Sequence, residues 1–460
     1  MANARLEPID LPDFGLPQSM PELPDTIYHG RRERLVERMV ERGYDRLVFY
    51  ADREHAANLA WLSGFDPRFE EALLILGPDG EPLLLAGNEC VGMGRAAPLP
   101  MRVELWQDLS LPGQPRHRSR PLAAILAEEG VSTGARIGVV GWKPYADRAW
   151  LDVPSFLADA LRSAVGPEGQ VENAVELLID PRDGLRTVNE PEQLAALEYA
   201  ACQTSEGVKR LLFGLHPGMT EQEAVALLHW NGAPLSCHLM LSSGPRASLG
   251  LLSPTDRVIE RGDRFTTAFG IWGALDCRAG FVVADANELP ASISDYVERL
   301  VAPYFEAIVE WLEALHVGQT GGALHDIIAG RLADPFFGIF LNPGHLIGLD
   351  EWIHSPVAAG SDVPLRSGSA MQVDVIPATG TAYFTTNVEG GIALADSSLR
   401  TELETHHPET FGRMLARRAF MRDALGIRLH DDVLPLSNLP AYLAPFLLAP
   451  DHALTVRQDM

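Results

Sequence analysis

Apolar residues recur with helical and strand-like spacing through the first third of the chain. Leu35 and Met39 predict an amphipathic helix, and the run from Leu47 to Tyr50 predicts a buried strand directly after it. Further short apolar runs, separated by Gly, Pro and Asp turns, predict strands at residues 72–76, 82–85 and 137–140. We therefore predict an α/β domain over residues 28–183.

The next section, residues 184–425, mixes long helical patterns with strand-like runs. Thr220 and Glu223 form a capping box, the sequence signature of a helix start. Because the elements do not alternate as βαβ units, a doubly wound dinucleotide fold is disfavoured and a mixed α/β (α+β) fold is predicted. The predicted helices cover residues 190–213, 220–230, 292–315 and 322–333.

The two ends of the chain are rich in proline and lack the hydrophobic periodicity of the two central sections. Residues 1–27 contain many prolines and no periodicity, which predicts an extended arm. A basic helix is predicted from Arg413 to Arg422, near the end of the second section. Residues 426–460 are again rich in proline, and we predict a C-terminal extension that wraps the surface.

Composition narrows the class of protein. With 460 residues, 46% of them hydrophobic, the chain can bury a large core and form two domains. A formal net charge of -25 disfavours nucleic acid as a partner. No apolar run reaches about 18 residues and no signal-peptide pattern is present, so we expect no membrane contact and a cytoplasmic protein. The cysteines are too scattered for a zinc knuckle or a disulfide framework: Cys90, Cys202, Cys237 and Cys277.

Three polar residues stand inside apolar or glycine-rich runs. His345 lies between Gly344 and Gly348, Asp374 lies in a hydrophobic run, and Glu389 precedes a pair of glycines. Burying such groups without partners costs several kcal/mol, so strands that carry them usually do so for a site. The alternatives are a core histidine, a turn-capping aspartate and a strand-end glutamate at the surface. We predict that His345, Asp374 and Glu389 are catalytic.

The order of these motifs resembles a known family. A Gly-His-x-x-Gly-Leu motif starting at Gly344, an acid before Pro377 and an acid in a second strand resemble the pita-bread family of aminopeptidase P, prolidase, methionine aminopeptidase and creatinase. Residues 189–192, 217–221 and 261–263 also resemble landmarks of that family. The likeness extends from about residue 28 to residue 425. It implies a creatinase-like N-terminal domain followed by a pita-bread domain.

The chain differs from the metalloenzymes of this family at two positions. Metalloenzymes of the family hold two metal ions with two Asp, one His and two further acids. The positions that correspond to the two Asp are Ala268 and Leu275 here. Both are apolar and cannot bridge two ions. We therefore predict no dinuclear centre and no functional metal or other cofactor, although His345, Asp374 and Glu389 could form a weak single site.

Further candidates depend on the likeness to metal-free creatinase. Asp276 matches an acid of a creatinase tract and is predicted to be catalytic, with Arg278 as a substrate-binding residue; a structural ion pair between the two is the alternative. His354 resembles the family's second histidine, displaced by two residues, and is a candidate substrate-binding residue. His238 is either a core residue or a site residue that binds the substrate or moves the proton in place of His345. Arg68 lies in a segment that resembles a loop reaching into the partner subunit, where it could bind a carboxylate.

These features suggest a function. We expect a metal-independent hydrolase or lyase of the creatinase type that acts on a C–N bond of a small carboxylate-bearing molecule. The alternatives are an Xaa-Pro peptidase with atypical metal ligands and an inactive pita-bread protein that binds a peptide or another partner. The resemblance also implies a homodimer in which the N-terminal domain of one subunit closes the pocket of the other.

Overall fold

A computed structural model describes residues 3–457 of the chain. The strands are β1 (Asn3–Pro8), β2 (Arg46–Ala51), β3 (Ala72–Leu76), β4 (Leu83–Ala86), β5 (Arg102–Leu105), β6 (Arg136–Val140), β7 (Gln170–Asn173), β8 (Met240–Ser243), β9 (Arg264–Phe269), β10 (Asp276–Phe281), β11 (His345–Leu346), β12 (Ala370–Gln372), β13 (Asn387–Glu389), β14 (Gly391–Leu394), β15 (Val433–Pro435) and β16 (His452–Arg457).

The α-helices are α1 (Asp25–Glu41), α2 (Ala57–Ser63), α3 (Val91–Arg95), α4 (Leu122–Glu128), α5 (Ser155–Val165), α6 (Glu176–Ile179), α7 (Pro191–Gly214), α8 (Glu221–Ala226), α9 (Ala302–Ala314), α10 (Gly321–Arg331), α11 (Ser397–His406) and α12 (Pro408–Phe420). Short 3₁₀ turns lie at Gln107–Leu109, Gly244–Leu249, Ala286–Glu288, Ala291–Ile293 and Pro335–Phe337, and π-helical turns at Val297–Val301 and Met421–Leu425. Among these described helices, none is long and apolar enough to cross a bilayer.

The predicted elements are found where local pattern was strong. The predicted helix 190–213 is α7, which starts with a proline at its first turn, where a missing N–H costs no hydrogen bond. The Thr220–Glu223 capping box is present at the start of α8, but this helix ends at Ala226 and not near residue 230. The chain divides into two compact units, residues 23–186 and residues 1–22 with 187–460.

The unit formed by residues 23–186 contains one mixed sheet with strand order β5-β4-β3-β2-β6-β7. Its central strands pair as antiparallel β2–β3 and β3–β4, and parallel pairs β2–β6, β6–β7 and β4–β5 flank them. Strands β2 and β3 are buried along most of their length, which explains their continuous apolar sequence. This unit is the predicted α/β domain.

The other unit contains two four-stranded antiparallel sheets. Their strand orders are β13-β10-β9-β8 and β11-β12-β14-β15. Side chains of the first sheet line one side of a pocket. Strands β11 and β12 of the second sheet place His345 and Gln372 next to these side chains. This mixed α/β unit follows the N-terminal domain, as the predicted fold class requires.

Both chain ends are more ordered than their sequences suggested. Residues 3–8 were predicted to belong to an extended arm, but they form β1, which pairs antiparallel with β16. The C-terminal extension was predicted to wrap the surface, yet Val433, Leu434 and Leu443 are fully buried. The apolar residues between the prolines explain the difference, because β15 completes the second sheet of this unit.

Candidate functional site

Four strands present one row of side chains to a common pocket. The ladder pairs Met240 with Ala268, Ala268 with Cys277, and Cys277 with Glu389. Since side chains alternate along a strand, paired residues in a ladder share a face. These four residues line a pocket of about 820 Å³. The row therefore carries a buried carboxylate next to apolar and thiol side chains.

His345 enters this pocket region from the second sheet and is fully buried. Gly344 before it has φ +114°, and a Cβ at that position would lie 3.1 Å from both the Gln372 carbonyl and the Trp311 ring, so glycine is required. The imidazole stacks on Trp352 with ring centroids 4.0 Å apart. Its Nδ1 lies 3.3 Å from the Leu346 carbonyl oxygen. The ring is thus held with Nε2 as its free edge.

The Nε2 atom of His345 faces carboxylates. Glu351 Oε1 is 3.1 Å away and Asp374 Oδ2 is 4.0 Å away. Neither contact has hydrogen-bond geometry, so within residues 3–457 His345 Nε2 has ionic contacts but no hydrogen-bond partner, and the buried Asp374 Oδ1 has no hydrogen-bond partner either. Buried polar atoms normally have partners, and exceptions mark sites for a ligand, an ion or a reacting group.

The pKa values of Glu389 and Asp374 are both raised by burial. Burial raises the pKa of Glu389 well above its usual range, and the nearby Asp374 and Glu351 carboxylates raise it further. Burial raises the pKa of Asp374 to about 6; His345 opposes this rise and Glu351 adds to it. Gln372 Nε2 donates to the Leu275 carbonyl at 2.6 Å and to Glu389 Oε1 at 3.3 Å. The amide therefore orients the Glu389 carboxylate.

The side chains around His345 offer enough ligand atoms for one metal ion but not for two. One ligand atom each from His345, Glu351 and Glu389 lie within 4.8 Å of one another. One nitrogen and two carboxylates form a plausible set for a divalent transition metal. A bridged pair of ions does not fit, because Ala268 and Leu275 line the pocket where the resemblance would place bridging carboxylates.

Asp276 and Arg278 point away from the pocket, on the opposite face of β10 from Cys277. Arg278 is 2% exposed, and its Nη1 lies 2.7 Å from Asp276 Oδ1. Its guanidinium also donates hydrogen bonds to the backbone carbonyls of Cys277, Leu439, Tyr442 and Glu389. Asp276 also accepts from Ser437. The pair is structural, which contradicts the predicted catalytic role of Asp276 and the predicted substrate contact of Arg278.

The other predicted residues have different positions. His238 is exposed, lines the pocket and has Nε2 2.7 Å from the Leu251 carbonyl, so it is not a core residue. His354 does not line the pocket; its backbone pairs with Leu346. Arg68 lies in the unit of residues 23–186, with Nε 2.7 Å from Asp66 Oδ2. Its predicted contact with a partner subunit remains a prediction.

Sequence reasoning missed two residues that complete the site. Glu351 and Trp352 follow the Gly348-Leu349-Asp350 turn directly, and both line the pocket. The turn carries them back over His345, so that one contacts and the other stacks on the imidazole. Their position immediately after the turn was the available signal. Acidic residues in loops are common, however, so this position alone does not indicate a site. The fold brings the Glu351 carboxylate to the His345 imidazole.

Comparison with known proteins places these features in context. The sequence pattern of Metallopeptidase family M24 matches residues 195–434, and that of the Creatinase/Prolidase N-terminal domain matches residues 31–167. A curated relative, the uncharacterized peptidase YqhT of Bacillus subtilis (strain 168), is 24% identical over 237 residues, or 49% of this chain. The match spans only 64% of the length of that relative.

Solved structures share the fold. The prolidase from Pyrococcus horikoshii OT3 superposes with a TM-score of 0.61 at 16% identity, covering 80% of this chain and 95% of its own. The X-Pro aminopeptidase from Thermotoga maritima MSB8 gives a TM-score of 0.61 at 18% identity, covering 79% and 95%. At these identities the likeness extends to the fold alone.

Proposed function

The chain belongs to Metallopeptidase family M24, and on that premise we propose that it is a hydrolase that cleaves a C–N bond in a short peptide. The observation that carries the proposal is that the buried His345 lies against Glu351, Asp374 and Glu389, whose three carboxyl groups line one pocket. A peptide bond needs a group that activates its carbonyl and a group that moves a proton, and this set contains candidates for both.

We propose that one divalent cation is held by His345, Glu351 and Glu389. Such an ion would act as a Lewis acid toward the carbonyl oxygen of the bond to be cleaved. The unpartnered Nε2 of His345 supports this ligand role, and the stacked Trp352 ring keeps the imidazole edge directed at the carboxylates. Asp374, with one unpartnered oxygen, is left to accept a proton from the attacking water.

A metal-independent reaction of the creatinase type is the second candidate. The specific observation in its favour is that Ala268 and Leu275 remove both bridging positions. In this case His345 would move the proton, and the neighbouring acids would set the charge of its ring. The names of the structural neighbours, which include prolidases and X-Pro aminopeptidases, support the peptidase candidate over this one.

The test is a hydrolysis assay with Leu-Pro as the probe, chosen because those neighbours are named for prolyl bonds. Wild-type protein should cleave it after Mn²⁺ or Zn²⁺ is added, and EDTA should abolish the activity. His345→Ala should lower turnover by about a hundredfold or more, whereas His216→Ala, which changes an exposed histidine, should not. Full activity in EDTA would favour the metal-independent reaction, and full activity of His345→Ala would refute both candidates.

The predicted assembly and location are proposals as well. We propose a homodimer, as the resemblance implies, with Arg68 of one subunit contributing to the pocket of the other. A cytoplasmic location is consistent with the absence of a membrane-spanning helix among the described residues.

A further inference from the structure

One arginine lines the pocket without an acidic partner. Arg264 lies at the start of β9, and across the described part of the chain no carboxylate is within ion-pair distance of it. Its Nη1 donates to Ser248 Oγ at 2.7 Å. Its Nη2 lies 3.3 Å and 3.5 Å from the carbonyl oxygens of Thr381 and Ala382. All these acceptors are neutral, so the positive charge of Arg264 is not compensated locally.

These contacts position the guanidinium but do not occupy it fully. An arginine has five N–H donors in a planar fork. Three acceptors are present, and the guanidinium carbon lies 5.6 Å from the centre of the Phe384 ring. Two N–H groups, one on Nε and one on Nη1, therefore remain for a ligand. A carboxylate oxygen can accept a charge-assisted hydrogen bond from either of them.

The pocket has a guanidinium at one end and carboxyl groups at the other. Arg264, Thr266 and Ala268 all line it from one face of β9, and Ala268 is level with Cys277 and Glu389 in the ladder. Four residues of strand separate the α-carbons of Arg264 and Ala268 by about 13 Å. An extended peptide of up to about four residues spans such a distance, so a peptide of two or three residues fits between the two groups.

Apolar side chains line the space around this axis. Several of the large hydrophobic residues that are most exposed in this unit lie on the pocket: Leu249, Leu251, Phe340, Leu341, Trp352 and Ile376. Exposed apolar groups around a pocket suit apolar parts of a ligand. A ligand that matches the whole surface is short, apolar in its side chains and negatively charged at one end.

We propose that Arg264 binds the C-terminal carboxylate of a peptide of two or three residues. This inference rests on the proposed function and specifies its substrate class and orientation: the bond to be cleaved lies beside His345, and the C-terminus points toward Arg264. It also replaces the predicted role of Arg278, whose donors are occupied by backbone carbonyls and Asp276 behind the sheet. Arg264 is a specificity-determining residue and takes no part in bond cleavage.

The test measures binding without catalysis. The ligand is the reduced-amide analogue of Leu-Pro, in which a CH₂ group replaces the carbonyl of the cleaved bond, and its C-terminal carboxamide serves for comparison. Isothermal titration calorimetry should show that wild-type protein binds the acid about tenfold or more tightly than the amide, in line with a charge-assisted hydrogen bond. Arg264→Met should bind both ligands equally, with the affinity for the amide unchanged. Arg264→Lys should keep part of the preference.

Arg261→Met is the matched control, because Arg261 is exposed three residues away, is paired with Glu288 and lies outside the pocket. It should retain the wild-type preference. Equal wild-type affinities for acid and amide, no binding of either ligand, or an equal loss of both in Arg264→Met would overturn the inference. If wild-type protein discriminates between the ligands but hydrolyses no peptide, the proposed function fails while the carboxylate site stands.

Discussion

The substitution Glu351→Gln should change stability in opposite directions with and without a cation. Without a cation, the variant removes one of the charges that crowd the pocket. Ligand atoms of Glu351 and Glu389 lie within 4.8 Å of each other. Two full charges at that distance repel by about 3 kcal/mol at an effective dielectric constant of about 20. Because Glu389 can relieve part of this repulsion by keeping a proton, we expect the variant to be about 1–2 kcal/mol more stable in EDTA at pH 8.

With a cation the order should reverse. An ion that binds only the folded state stabilises it by about 2.7 kcal/mol when its concentration is a hundred times the Kd. If loss of the Glu351 ligand weakens binding about a hundredfold, the same concentration stabilises the variant by only about 0.4 kcal/mol. The variant therefore loses about 2.3 kcal/mol relative to wild type, which exceeds its gain of about 1–2 kcal/mol in EDTA and leaves it less stable than wild type by up to about 1 kcal/mol.

Thermal unfolding in EDTA and in increasing Mn²⁺ or Zn²⁺ provides the assay, and calorimetric titration gives the number of ions bound. Glu402→Gln is the matched control, because Glu402 is exposed on α11 and should respond to neither condition. A variant less stable than wild type in EDTA would mean that Glu351 serves mainly as a partner for His345. An unchanged response to the cation would remove Glu351 from the ligand set, and two ions per wild-type chain would refute the single site.

Three further predictions follow from the same geometry. Gly344→Ala should destabilise the protein by about 1–2 kcal/mol in denaturant unfolding, since alanine is strained at φ +114°; wild-type stability would contradict the requirement for glycine. Burial raises the pKa of Asp276 to about 6. Because this carboxyl pKa is higher in the folded than in the unfolded protein, the wild-type free energy of unfolding falls as pH rises from 4 through 6. Asp276→Asn has no such carboxyl group, so its free energy of unfolding should rise relative to that of wild type by up to about 3 kcal/mol between pH 4 and 7. A difference that stays constant with pH would contradict this prediction. Sedimentation should give twice the monomer mass of 50.2 kDa at micromolar concentration, with Arg68→Ala still dimeric but weaker in substrate binding; a monomer would refute the shared pocket.

Secondary structure was predictable from the amino-acid sequence where the signal was local. The helix α7, the capping box of α8 and the apolar strands β2 and β3 were predictable because hydrophobic period, caps and turn residues act over a few positions. The family was also identified from sequence, through the spacing of His345, Asp374 and Glu389 and its likeness to known motifs. The structure brings His345 and Asp374 within 4.0 Å of each other and places Glu389 in the same pocket.

The set of side chains that face the pocket depends on how the strands and turns pack together. Asp276 and Cys277 are neighbours in sequence, yet the alternation of β10 sends the thiol to the pocket and the acid behind the sheet. Arg264 carries no distinguishing local pattern, and the only local signal for Glu351 is its place directly after the Gly348-Leu349-Asp350 turn. Each becomes a site candidate because a strand register or a turn brings it to the pocket. Local patterns predict helices and strands, but the chemistry of this pocket depends on contacts between distant parts of the chain, from 29 positions between His345 and Asp374 to 112 between Cys277 and Glu389, which no local pattern encodes.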